Sequence, residues 1–252
     1  MSETPQQPRD NVQRTLDGET RLDIAAVLRE AWARMPGSRV VLLGAFVALF
    51  LLMMVVTTLL GTLFGGDLGA ASGTSLGGIV TRLLVTAIIY PFMAGIFIVS
   101  LRWIHGRPIA FDQLLAPYAL VVPLVLMNVL MGLGIAAGII LFVIPAIYLS
   151  VAWMMAMPLM VDRGLGPFQA LELSRKLVTK HWFSMLAYAL IAGAALVLGV
   201  FSFGIAFFWL LPWLSLAYAI LYRELAGSAT LDGGSAPPLA PEEPPSTGSL
   251  SA

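Results

Sequence analysis

The sequence predicts an all-α integral membrane protein with six transmembrane helices and cytoplasmic in-plane amphipathic helices. Composition gives the first reason: 59% of the 252 residues are apolar and only 11% charged, where soluble domains carry about 25% charge. That leaves too little polar surface to wet a globule of this size. Apolar runs long enough to cross a bilayer give the second reason, and the uneven placement of basic residues gives the third.

Residues 1–19 are Gln, Pro and charge without an apolar period, which predicts a disordered tail. Thr20 followed by Asp23 resembles a capping-box start, and Ile24, Val27, Leu28, Ala31, Trp32 and Met35 then recur at helical spacing. Asp23, Arg29, Glu30 and Arg34 fall mostly off that face, the pattern of a helix lying on a membrane surface. Pro36-Gly37 ends it. The first apolar run, 40–64, is about 25 residues long, well beyond the apolar region of a secretory signal, so it reads as an uncleaved span.

A Gly/Ser/Ala-rich loop over 65–78 leads to a second span over 79–104, which contains Arg82 and a Tyr90-Pro91 step. Arg102, His105 and Arg107 mark a polar turn, and 109–115 around Asp112 reads as a short in-plane segment. The apolar stretch 119–161 would be ~64 Å long as one helix, about twice the hydrocarbon thickness. It must fold back, and Gly132, Gly134 and Gly138 are placed to turn it into spans 119–137 and 139–161. The same arithmetic divides 183–222 at Phe201-Ser202-Phe203-Gly204 into spans 183–202 and 204–222. Between them, 164–181 is amphipathic, with Pro167 placed as its first helical residue. The membrane domain therefore covers 20–224, and the Gly, Ser, Pro and Glu of 225–252 read as a second disordered tail.

Of the 14 Lys and Arg, 13 lie in the N-terminal segment, the 102–107 turn, the 163–180 helix or at Arg223. Six crossings place all of these on one side, which the positive-inside rule makes cytoplasmic, with both termini there. The hydropathy pattern also repeats three times as a surface helix followed by a membrane hairpin.

Candidate functional residues are few. An arginine inside a span costs on the order of 3 kcal/mol on insertion scales, which singles out Arg82. Two readings of it stand: a side chain that snorkels to the headgroups or joins a structural pair, and a ligand or lipid-phosphate contact. Asn128 can hydrogen-bond a neighbouring helix, and Gly134 with Gly138 forms a GxxxG packing or dimerising face. Arg175, Lys176 and Lys180 can anchor topology or attract an anionic leaflet. His105, His181 and the Met-rich run 154–158 lack the partners of a metal site, and no cysteine is present. No Walker loop, nucleophile elbow or HExxH occurs, and the zero net charge argues against nucleic acid as a partner. No cofactor is expected.

One stretch carries a more specific pattern: Ile144-Pro145-Ala146-Ile147-Tyr148-Leu149, Trp153, Ala156-Met157-Pro158-Leu159, Val161-Asp162, Gly164-Leu165-Gly166-Pro167 and Ala170-Leu171 with Ser174. It resembles the central signature of the YciC-type uncharacterised bacterial inner-membrane proteins, related to the membrane domain that precedes some glycerophosphodiester phosphodiesterases. Ala146 stands where those families usually have Gly. The phosphodiesterase catalytic domain has no counterpart in this chain, so the resemblance implies a multi-spanning inner-membrane domain and no reaction. Pro145, Tyr148, Pro158, Gly164, Gly166, Pro167 and Ser174 are read as residues that shape the backbone, with Pro145 and Pro158 flanking the fourth span.

These observations favour a non-enzymatic membrane protein with a scaffold, assembly or envelope-homeostasis role through lipid and protein contacts. The alternative is a small transporter or channel for an apolar or lipid-like substrate. The expected partners are the lipid bilayer and a membrane protein or a second copy of the chain.

Overall fold

The structure is a computed structural model that describes residues 11–18, 20, 22–64, 76–229 and 231. The described residues form ten α-helices: α1 (Asn11–Leu16), α2 (Ile24–Arg34), α3 (Arg39–Phe64), α4 (Leu76–Ile104), α5 (Val121–Leu141), α6 (Val143–Ala152), α7 (Ala156–Arg163), α8 (Pro167–Lys180), α9 (Trp182–Phe201) and α10 (Phe207–Ala226). Two 3₁₀ turns, Phe111–Leu114 and Ala116–Leu120, join α4 to α5. No strand occurs among the described residues.

Five segments are long and apolar enough to cross a bilayer: α3, α4, α5 with its preceding turns, α6 with α7, and α9. The sixth, α10, has 20 residues, a length sufficient for ~30 Å of hydrocarbon. Two Trp, two Tyr, Pro212, Arg223 and Glu224 lower its hydropathy. It is nonetheless the deepest helix, burying Pro212, Leu216, Ala217, Ala219, Ile220, Leu221, Tyr222, Leu225 and Ala226. It packs against α1, α2, α3, α4 and α9, so the least apolar span is the one shielded from lipid. By contrast α3 leaves Val47, Phe50, Leu51, Met54, Val55 and Leu59 exposed along its length, as a lipid-facing helix must.

The amphipathic helices cross the bundle at one end. Helix α2 starts on Asp23, whose carboxylate accepts the amides of Ala25 at 2.9 Å and Ala26 at 3.2 Å. Asp23 is therefore a simple N-cap and not the second member of a box with Thr20. The segment runs from the start of α9, where the Ser184 hydroxyl donates to the Leu22 carbonyl. It continues over α10, where the Trp213 indole donates to the Leu28 carbonyl at 3.0 Å. It ends at α4, where the Trp103 indole donates to the Arg34 carbonyl at 2.8 Å. These anchors lie on the ends of α4 and α9 that the sequence places on the same side, so α2 lies across the spans.

Several expectations are corrected. Part of the tail expected to be disordered over 1–19 is the helix α1; its Thr15 hydroxyl is buried and donates to the Leu225 carbonyl at 2.7 Å. Residues 1–10, 19, 21, 65–75, 230 and 232–252 lie outside the described residues. The segment 109–115 contributes only 3₁₀ turns. The second hairpin turns at Phe142, one helical turn beyond Gly138, the last of the glycines expected to turn it. Those glycines lie inside α5 and permit close approach: a Cβ on Gly138 would stand 2.9 Å from the Ala146 nitrogen of α6, and one on Gly134 would overlap the Trp153 ring. The GxxxG face is thus used within the hairpin. The fourth span is also not continuous, being interrupted at residues 153–155.

The tips of the two later hairpins are apolar. Ile140 is 84% exposed, Phe142 77%, Phe201 80% and Phe203 98%. The second tip bonds its own backbone: the amides of Ser202, Phe203, Gly204 and Ile205 donate to Leu198, Val200, Gly199 and Ser202 carbonyls. The Ser202 hydroxyl donates to the Gly199 carbonyl and accepts the Ala206 amide. A turn with such side chains and such bonding suits hydrocarbon better than water. The chain has no cysteine, so a nitroxide on Phe203→Cys reports one site. It should be relaxed by oxygen and not by a water-soluble nickel chelate, whereas a label on Lys180→Cys should show the reverse. Nickel access at position 203 would place this tip in water.

Candidate functional site: the broken span and the basic helix beside it

Pro158 determines where the fourth span breaks. It is the third residue of α7, has no N–H, and cannot bond the carbonyl four residues earlier, that of Met154. The chain turns at Trp153, Met154 and Met155, and three backbone groups lose helical partners. Two are met by one side chain: the Ser174 hydroxyl of α8 donates to the Ala152 carbonyl at 2.8 Å and accepts the Met155 amide at 3.1 Å. The third, the Met154 carbonyl, accepts the Tyr218 hydroxyl of α10. Ser174 is fully buried, so its two bonds replace water that cannot enter.

The other residues of the sequence signature surround this break. Pro145 is the third residue of α6, where its missing donor breaks no helical bond. The Tyr148 hydroxyl lies 2.7 Å from the Thr179 hydroxyl of α8, and its ring packs on Trp182 at 5.1 Å. Gly164 ends α7 at φ 63°, Gly166 precedes α8 and Pro167 is its first residue. The expectation that Pro145 and Pro158 flank the span is corrected: each begins one of its two halves.

Helix α8 also carries the basic residues. Arg175 grips Glu172 with two hydrogen bonds of 2.9 and 2.8 Å, and Lys176 approaches the same carboxylate at 3.4 Å. The Arg175 hydrogen bonds, helped by Lys176, hold the Glu172 carboxyl down at about 2. Lys180 is exposed and has no ion-pair partner among the described residues.

Arg82 and Asn128 are not part of this group. Arg82 is an exposed residue in the second turn of α4, with no hydrogen bond or ion pair among the described residues. Asn128 of α5 meets the Tyr90 hydroxyl of α4, a helix-to-helix contact. Neither lines the open cleft of about 200 Å³ between the spans that is bordered by Phe46, Met93, Phe97, Met157, Tyr188 and Tyr218. The hydroxyls there are already used, Tyr188 donating to the Leu214 carbonyl at 3.0 Å and Tyr218 to that of Met154.

The sequence reading missed a polar layer. Asp162, 3% exposed, accepts the Tyr222 hydroxyl at 2.7 Å, the Ala229 amide at 2.8 Å and the Ser228 hydroxyl at 3.3 Å. Glu30 of α2 takes a two-pronged bond from Arg223 of α10, both at 3.0 Å, and pairs with Arg34 at 2.9 Å. Burial opposes ionisation of Glu30, but the hydrogen bond and charge of Arg223, with Arg34, outweigh it and lower its pKa. No signal joins Glu30 to Arg223 across 193 positions; for Asp162 the only hint was a lone acid at a span end. No cluster of three His, Cys, Asp or Glu that could hold a metal ion occurs among the described residues.

Ser174→Ala removes both hydrogen bonds at the break and leaves two buried backbone groups unmet, each costing about 1–3 kcal/mol. The variant should unfold at lower temperature or denaturant than wild type in the same detergent. An unchanged transition would mean the break is satisfied in another way.

No known protein family, curated protein or solved structure matches this chain, so the functional reading rests on its own geometry.

Proposed function

We propose that this chain is a non-enzymatic component of the bacterial cytoplasmic membrane, with both termini cytoplasmic and a scaffold, assembly or envelope-homeostasis role exerted through lipid and protein contacts. One observation carries the reading: three buried hydroxyls inside the bundle, those of Ser174, Tyr188 and Tyr218, are spent on holding its backbone, while Glu30, Arg34, Asp162, Glu172, Arg175, Lys176 and Arg223 gather in the layer formed by α2, α8 and the ends of α7 and α10. Ser174, Tyr188 and Tyr218 each bond a carbonyl. Catalysis and ion coupling both need intramembrane groups that are free to change partner or charge. The resemblance of 144–174 to the YciC-type proteins supports the same localisation and brings no reaction with it.

The open cleft lined by Met157 favours a second reading. It is bordered by α3, α4, α7, α9 and α10 and is apolar, so a transporter of a lipid-like substrate would use it. A dequenching or dithionite assay of fluorescent-lipid movement in proteoliposomes separates the two. The scaffold reading expects wild-type protein and the cavity-filling variant Met157→Trp both to match empty vesicles. Lipid movement accelerated by wild type would replace this reading with transport, and its loss in Met157→Trp would locate the path.

A further inference from the structure

Two hollows meet at Arg175. The first, about 270 Å³, is lined by Leu130 of α5, Trp153 at the break, and Phe168, Leu171, Glu172 and Arg175 of α8. The second, about 330 Å³, is lined by Leu16 of α1 and by Arg175, Lys176, Thr179 and Lys180. Arg175 borders both, so an apolar hollow and a basic one adjoin at its side chain as the two halves of a candidate slot.

The apolar half belongs to the membrane. Leu130 is the tenth residue of α5, which places it ~14 Å along that helix from its start. The groove therefore reaches from the surface helix α8 to hydrocarbon depth. Its floor is fixed, since the Trp153 ring packs where Gly134 has no side chain. Phe168 is 74% exposed at its edge, an aromatic ring at the level where bilayers favour them.

The basic half is not neutralised from within. Among the described residues that line the two hollows, three cations, Arg175, Lys176 and Lys180, meet one carboxylate, Glu172, which Arg175 and Lys176 share. Lys180 is left for another anion. The Thr179 and Tyr148 hydroxyls, 2.7 Å apart, stand beside Arg175 as neutral partners. A free anion would leave the apolar half empty, and a neutral lipid would leave the basic half unmatched. A headgroup carrying its own amine would set that amine among the lysines. The occupant that matches both halves has an apolar chain joined to a phosphate with net negative charge.

We propose that this slot binds an anionic phospholipid, one acyl chain lying along Leu130, Trp153, Phe168 and Leu171 and the phosphate between Arg175, Lys176 and Lys180. The proposal deepens the lipid-contact reading above and rests on it. Glu172 competes with the phosphate for Arg175 and Lys176, so it tunes affinity downward.

The test uses the full chain in nanodiscs of phosphatidylcholine with a minor fraction of phosphatidylglycerol. Lipids retained on ejection are identified by native mass spectrometry, with fold checked by circular dichroism. Wild type should retain phosphatidylglycerol in a one-to-one ratio. Lys176→Gln with Lys180→Gln should lower that retention by roughly tenfold or more, as expected for two lost leaflet-facing charges. Glu172→Gln should raise it several-fold, and Arg107→Gln, a basic residue outside the slot, should leave it unchanged. Equal loss with Arg107→Gln would reduce the effect to diffuse surface attraction and overturn the site. Displacement by soluble glycerol phosphate would make it an anion site and overturn the phospholipid. Absence of retention while lipid movement stays at the empty-vesicle rate would sink the slot alone. Accelerated lipid movement would instead sink the scaffold reading, whatever is retained.

Discussion

Pro158 cannot donate a hydrogen bond to Met154, and much of this bundle is arranged around that missing bond. In hydrocarbon an unmet carbonyl costs several kcal/mol, and no water is available to meet it. The chain supplies a tyrosine from α10 for the Met154 carbonyl and a serine from α8 for the two groups on either side. These bonds fix three elements at once: the two halves of the fourth span, the surface helix that follows, and the last span. Near Pro91 the Tyr118 hydroxyl donates to the Ile88 carbonyl at 2.6 Å, tying the turn before α5 to the middle of α4.

The charged layer is the second constraint. Helix α10 ends in Arg223-Glu224 and would be a poor span by itself. Its position at the centre of the bundle, with α2 laid across it and Asp162 bonding Tyr222, shields those polar groups from lipid and gives them partners. The described residues thus combine a charged layer, in which Glu30 pairs with Arg223 and Glu172 with Arg175, with apolar tips on the two later hairpins. Within that layer α8 presents its basic residues beside the groove under Trp153.

Much of the architecture was legible because hydropathy is a one-dimensional signal. The span count and the two amphipathic helices needed only run length and period. The turn near residue 140 was misplaced because glycines that serve close packing look, in sequence, like glycines that serve a turn; Gly134 and Gly138 make room for Trp153 and Ala146. Pro145 was the better marker, since a proline fits the first turn of a new helix. The break at 153–155 also had a sequence cause in Pro158, which was read as a span end. The pairs Glu30–Arg223 and Tyr222–Asp162 had none, because nothing local selects a partner 193 or 60 residues away. Arg82 stood out in the sequence for its cost, yet it has no hydrogen-bond or ion-pair partner among the described residues, while Arg175, less conspicuous, borders two hollows.

The central claim is that the break in the fourth span is sealed by the Ser174 and Tyr218 side chains. Hydrogen–deuterium exchange in nanodiscs addresses it at the amides of residues 154–156. The account predicts exchange there as slow as in the buried middle of α4, around Ala94 and Ile96. Fast exchange at the break would show water reaching it, and would contradict a sealed break.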